Sequence, residues 1–420
     1  MADGFKEAVL PLKEQYEIMD CFLKHRLEDI LPMLMKQEGI DMWIVAAREY
    51  NEDPVFLTMI PPLERTASRF SYLVFCLGRD GEAECLSVCR PSRVLESFYK
   101  RVWDKTVETQ LQCISRLVKE KNPRSIAVNT SSSFALADGL SKTIYEDIYQ
   151  ALDEEFRCRL LSAEKLCVGW LETRSRVELD RYPSVYAVAL DVIAEAFSNR
   201  VITAGVTTTG HVEWWIMQRI NDLGLQAWFT PTVDLQREGV QDSRVFDVVI
   251  MPGDILHCDV GLRYLGLCTD TQRVAYVLKP GEADVPLGLK AALRTCNEFQ
   301  DIAADNFRAG RSGNEILAAA LEEAQKRSIK AMLYSHPIGC HGHGAGPLIG
   351  LWENQQSVPV RGDYTLKENT CYALELNTAS RIPEWSNQEV TVFLEETVAY
   401  TDGCCRYLKD RQTEFITIRG

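Results

Sequence analysis

Apolar residues recur at helical intervals near the start of the chain. Ile18, Cys21, Phe22, Ile30, Leu31 and Leu34 place a helix over residues 13–36. Met42-Trp43-Ile44-Val45-Ala46 is a short continuous apolar run of the kind a buried strand needs. Residues 71–77 and 83–88 flank Gly78-Arg79-Asp80-Gly81, a hairpin signal. A long amphipathic segment spans 92–119, a short strand 125–128 and a helix 138–152. These elements describe a mixed α/β domain without a catalytic constellation. His25 and its neighbouring acids read as surface or helix-face residues.

The pattern crosses into a second domain over residues 160–171. No Pro-, Gly- or Ser-rich linker marks the crossing, and the boundary is drawn at 1–165 and 166–420. Residues 172–200 are helical in pattern, with Pro183 expected to interrupt or restart the helix. Val212, Trp215, Ile216 and Ile220 form the stripe of a helix over 211–223, and His211 at its start reads as a capping or surface residue. Residues 282–307 are helical, and Ser312-Gly313-Asn314-Glu315 is a capping box opening a helix through Lys326. A His- and Gly-rich loop covers 331–350, and strands follow at 370–376 and 390–400.

Between these helices lies the stretch richest in chemistry. Ile255, Leu256, Cys258 and Val260 form one strand, and Thr269, Thr271, Val274, Tyr276 and Val277 the returning one. Arg263 to Gly266 supply the turn. Folding about the Tyr264–Leu265 bond sets Asp259 opposite Asp270, with Cβ atoms about 4.5–5.5 Å apart, where like charges destabilise a sheet. One strand Asp is most often solvated. Two in facing register on an apolar ribbon are better explained by a cation between them. Downstream, alternation puts Glu375 on a face with the small residues Cys371 and Ala373, and Glu395 on a face with Thr391, Phe393 and Thr397. Glu396 falls on the more apolar face. Three of the six His lie in eight residues, His336, His341 and His343, among glycines that let backbone approach a site closely.

Four carboxylates and an imidazole make an oxygen-rich donor set. It suits two divalent ions, Mn²⁺ or Zn²⁺ foremost and Co²⁺ or Fe²⁺ as alternatives, over a thiolate-loving metal. Two ions roughly 3.5–4 Å apart can share one water, lower its pKa and polarise a carbonyl. The bulk numbers agree. A chain of 420 residues is comfortable as two domains, and 46% hydrophobic with 25% charged residues is ordinary for a globular protein. A net charge of -14 argues against nucleic acid or an anionic membrane as partner. The 14 Cys show no zinc-type spacing, and with no signal peptide they read as reduced thiols of a cytoplasmic protein.

The set Asp259, Asp270, His343, Glu375 and Glu395 resembles the five-ligand signature of the pita-bread metallopeptidases, in the branch of aminopeptidase P, prolidase and creatinase. The eleven-residue Asp–Asp spacing, the His-Gly-x-Gly pattern and the Glu395-Glu396-Thr397-Val398 ending carry the resemblance over about residues 165–420. It implies an α+β chain with a C-terminal pita-bread domain behind a smaller mixed α/β domain of creatinase type, and a homodimer. It also implies hydrolysis of the N-terminal bond of small peptides, Xaa-Pro among them. The resemblance has gaps. The family's peptidases usually carry a His about seventeen residues before the first Asp, where this chain has Asp242. They often carry an Arg two residues before the last Glu, where it has Phe393. Seven residues after the ligand His a further His is replaced by Gly350. Glu375 is then expected both to ligate and to accept the proton of the attacking water, with His336 or His341 as substitute proton shuttle. His341 rivals His343 as ligand, and the following Gly344-Ala345-Gly346 favours His343. The alternative is a pita-bread protein that is no peptidase, either a metal-dependent enzyme on a small non-peptide molecule or a binding scaffold.

Overall fold

A computed structural model describes residues 9–420. The chain divides into two compact units, Pro11–Glu178 and Leu179–Gly420, the latter joined by Leu10. The division falls after the crossing at 165/166 read from the sequence. The strand Leu160–Ser162 completes the first unit's sheet beside Ile126–Val128, and the helix Glu164–Glu172 buries Leu166 to Leu171. Both add to the first unit.

That unit is a six-stranded sheet in the order Lys100–Arg101, Ala83–Val88, Phe70–Leu77, Met42–Arg48, Ile126–Val128 and Leu160–Ser162. The 13–36 pattern is one helical run whose middle, Arg26–Ile30, widens into a π turn between Leu12–His25 and Leu31–Glu38. The amphipathic 92–119 segment is α-helical only from Gln110 to Lys121, after a short 3₁₀ turn at Leu95–Ser97. Thr109 caps it with Gln112 in a capping box, while Lys100–Arg101 is drawn onto the sheet edge. Ile44, Val74, Leu86, Ile114, Leu117, Ile144 and Ile148 share the core.

The second unit carries a nine-stranded sheet. Its main path runs Lys330–Leu333, Thr370–Ile382, Gln388–Thr401, Thr271–Leu278, Ile255–Val260 and Thr232–Gln236. Leu374, Leu376, Val392 and Leu394 pack with Leu289, Leu293 and Phe299 of the helix Leu287–Asn306 and with Ile316 and Leu317 of Gly313–Lys326. Pro183 does not interrupt its helix. Arg176–Ala196 runs through it as one element, with Tyr182, Val185, Tyr186, Ala189 and Val192 buried on both sides of the proline. That burial outweighs the backbone bond Pro cannot make. His211 closes a capping box with Thr208, accepting from its backbone N at 3.3 Å through Nδ1. Among the described residues no helix is long and apolar enough to cross a membrane.

Candidate metal centre

The hairpin around Asp259 turns one bond later than its sequence pattern indicates. Leu265 and Gly266 both have positive φ, 53° and 73°, the two-residue turn that matches strand twist. The register is therefore shifted by two. Arg263 pairs with Cys268, and Asp259 faces Gln272 instead of Asp270. Asp270 lies two residues before Gln272, diagonal to Asp259. On its other side Gln272 faces Glu395, and Glu395 faces Glu375. Asp259, Gln272, Glu395 and Glu375 thus form one row across four strands, with Asp270 beside it.

The structure brings the four expected carboxylates together. Oxygens of Asp259, Asp270 and Glu395 lie within 4.8 Å of one another, and Glu375 and Glu395 group in the same way with His336. Asp270 is 4% exposed, Glu395 1% and His336 6%, whereas Asp259 and Glu375 are half-buried. Asp259 Oδ1, both carboxylate oxygens of Glu395 and His336 Nε2 are buried without a hydrogen-bond partner among the described residues. Orphaned buried acceptors of this kind cost about 1–3 kcal/mol each, more when charged. Burial pushes the Asp270 carboxyl up to about 8. Burial, then neighbouring carboxylates, pushes Glu375 and Glu395 well above the ordinary range. Asp259 is raised by burial and by Asp270. Burial lowers the His336 pKa, favouring the neutral imidazole that a metal needs. Hard oxygen donors with one neutral imidazole, unsatisfied and mutually repelling, fit divalent cations.

The histidine loop is arranged differently from its sequence reading. His336, assigned there to proton shuttling, sits on a short strand pairing with Thr370–Ile382, opposite Ala373. Its Nε2 is 3.5 Å from Asp270 Oδ2. His343, the expected ligand, is exposed. It joins only Asp270 and His336, with its ring edge-on to His336 at 4.7 Å and to Trp228 at 5.1 Å. Trp228 is seated this close because a Cβ at Gly342 would meet its ring at 2.3 Å. His341 is half-buried and belongs to none of the ligand groupings among the described residues. Asp242 is exposed, and Gly350 has φ 78° with the Leu333 carbonyl where a Cβ would be. Glu396 is buried and committed elsewhere, 2.8 Å from Arg273 Nη2 and accepting from the Tyr186 hydroxyl at 2.8 Å and the Gln412 backbone N at 2.9 Å.

Four residues of the site escaped the sequence reading. Gln272 Nε2 donates to Glu375 Oε1 at 2.9 Å and lies 3.5 Å from Asp259 Oδ2. Its Oε1 meets His257 Nε2 at 2.9 Å, and His257 Nδ1 meets Asp234 Oδ2 at 2.9 Å. Arg244 in turn donates to Asp234 Oδ2 through Nε and Nη2, at 2.9 and 2.7 Å. The available signal was Leu265-Gly266. Placing the turn there puts Gln272 opposite Asp259, and alternation then puts His257 on the same face.

A sheet of this topology with a carboxylate and histidine cluster across its strands defines a pita-bread metallohydrolase. The family model for metallopeptidase family M24 matches residues 184–402, more than half of the chain. The chain belongs to that family. No curated protein matches it. Among solved structures, X-Pro aminopeptidase from Thermotoga maritima MSB8 is similar with a TM-score of 0.64 at 16% identity, over 92% of this chain and 99% of that one. Xaa-Pro dipeptidase from Bacillus anthracis has a TM-score of 0.60 at 16% identity, over 96% and 99%. Prolidase from Pyrococcus furiosus has a TM-score of 0.56 at 16% identity, over 91% and 100%.

Proposed function

We propose that this chain is a dinuclear metal-dependent aminopeptidase or dipeptidase that hydrolyses the N-terminal bond of small peptides, Xaa-Pro bonds among them. The observation that carries the reading is the row Asp259, Glu395 and Glu375 with Asp270 and His336, whose oxygens and imidazole nitrogen converge while Asp259 Oδ1, both Glu395 oxygens and His336 Nε2 stay buried without a hydrogen-bond partner among the described residues. We assign these five as the ligands, with His336 in the place expected of His343. Counting seven residues on from His336 reaches His343, so the family's further histidine has a counterpart here and Gly350 is no longer a departure.

The two ions, Mn²⁺ or Zn²⁺ foremost, would supply charge neutralisation, an acidified water and a polarised carbonyl. The rest falls to the chain. Glu375 keeps solvent contact and its Oε1 is held by Gln272, so it is assigned the proton of the attacking water. His343, exposed and braced by Trp228, gives a proton to the departing amine or a hydrogen bond to the oxyanion. His341 is the other candidate for this step, which His336 leaves when it ligates. A homodimer belongs to the same reading, checked by light scattering, as does the cytoplasm, where the 14 thiols stay reduced.

The test is metal content followed by a dipeptide and tripeptide panel. Two ions per chain with cleavage of at least one N-terminal bond are expected. Two ions without any peptide cleavage would instead favour a small non-peptide substrate, a reading that Phe393 and the exposed Asp242 keep open.

A further inference from the structure

We propose that Gln272 is a positioning residue that presets Glu375, and through it one of the two metal positions and not the other. It is held from behind by the chain His257–Asp234–Arg244. The proposal rests on the dinuclear reading above and adds an asymmetry to it.

Gln272 stands in the middle of the carboxylate row, between Asp259 and Glu395. Its amide orientation follows from its neighbours. With Glu375 ionised as a metal ligand it only accepts hydrogen bonds, so Nε2 faces Glu375 and Asp259, and Oε1 faces His257 Nε2. His257 is 2% exposed and Asp234 0%, so neither can trade its partner for water. Rotating the amide would set Oε1 against the Glu375 carboxylate oxygen. The chain ends at Arg244, whose guanidinium grips Asp234 while lying 5.1 Å from the Phe246 ring centre and 5.7 Å from that of Phe393. A structural amide would bond the strand backbone. Here both ends of the amide go to side chains, Glu375 at the candidate centre and His257 behind it.

The asymmetry comes from two distances. The bond to Glu375 is 2.9 Å, a normal hydrogen bond, whereas 3.5 Å to Asp259 is at the limit where such bonds fade. Glu375 belongs to the grouping with His336 and Glu395, and it is absent from the grouping of Asp259, Asp270 and Glu395. Losing Gln272 therefore releases a ligand of the first position only.

Calorimetric titration with Mn²⁺ tests this on the full chain, stripped of metal and refilled, for the parent, Gln272→Leu, His257→Leu and His257→Gln. Outer-shell partners typically carry about 10–100-fold in metal affinity. Gln272→Leu should weaken one site on that scale and leave the second near its parental value. His257→Gln retains a donor for Gln272 and should hold affinity better than His257→Leu, a difference that a purely space-filling role would not produce. Should Gln272→Leu not fold, the two His257 variants carry the same comparison. Unchanged titrations, or equal weakening of both sites, would overturn the proposal. A parent chain that takes up no metal would overturn the dinuclear reading beneath it, a failure seen in the parent and not in the variants.

Discussion

Removing one charge from the row should make the metal-free protein more stable while destroying its ability to bind metal. Asp270 is the residue to change, to asparagine, which keeps its shape. In the folded chain burial raises the Asp270 carboxyl from 3.8 to about 8. Between these values the folded state holds a proton that the unfolded chain has released, so stability falls as pH rises through that window. At pH 7 roughly three units at 1.36 kcal/mol each set an upper value of about 4 kcal/mol for this one group. Asparagine has no proton to lose. The assay is guanidinium unfolding of chelator-treated protein at pH 5 and pH 7.5. The two units need not unfold together, so the transition to follow is the one that Mn²⁺ shifts in the parent. The parent should lose stability from pH 5 to pH 7.5, and Asp270→Asn should lose less. At pH 7.5 the variant should exceed the parent by up to about 4 kcal/mol, and Mn²⁺ should no longer stabilise it. A variant less stable than the parent at pH 7.5 without metal, or equally sensitive to pH, would refute the reasoning, because the cluster would then not be under electrostatic strain.

Glu396→Ala leaves Arg273 buried without its carboxylate and should cost roughly 3–5 kcal/mol of stability, while metal content measured by emission spectrometry stays at the parental level. His336→Ala should lose metal. His343→Ala should keep it and lose about 10²–10⁴ in peptide hydrolysis, and the reverse pattern would restore His343 as ligand. A thiol reagent on the native protein should label Cys21, Cys158 and Cys404 first, with Cys258 and Cys371 reacting only on unfolding and metal content unchanged.

Much of the site follows from rules that act over a few residues. Alternation alone puts Glu375 and Glu395 on the opposite face from Leu374, Leu376 and Leu394, because successive strand side chains point to opposite sides. Capping boxes at Ser312 and Thr109 mark where helices begin, since the partners are three residues apart. What tertiary structure decided is how these pieces meet. The hairpin register depends on two positive φ values at Leu265 and Gly266, and a shift of two keeps every side chain on its face while exchanging Asp270 for Gln272 opposite Asp259. Which imidazoles come near the carboxylates is invisible in a loop of glycines, where spacing places no side chain. The pairing of His336 with Ala373 carries its imidazole to 3.5 Å from Asp270. Pro183 stays within its helix because residues far along the chain bury both sides of it. Asp234, His257 and Gln272 form a chain only because three strands lie side by side, and no local pattern joins residues on different strands.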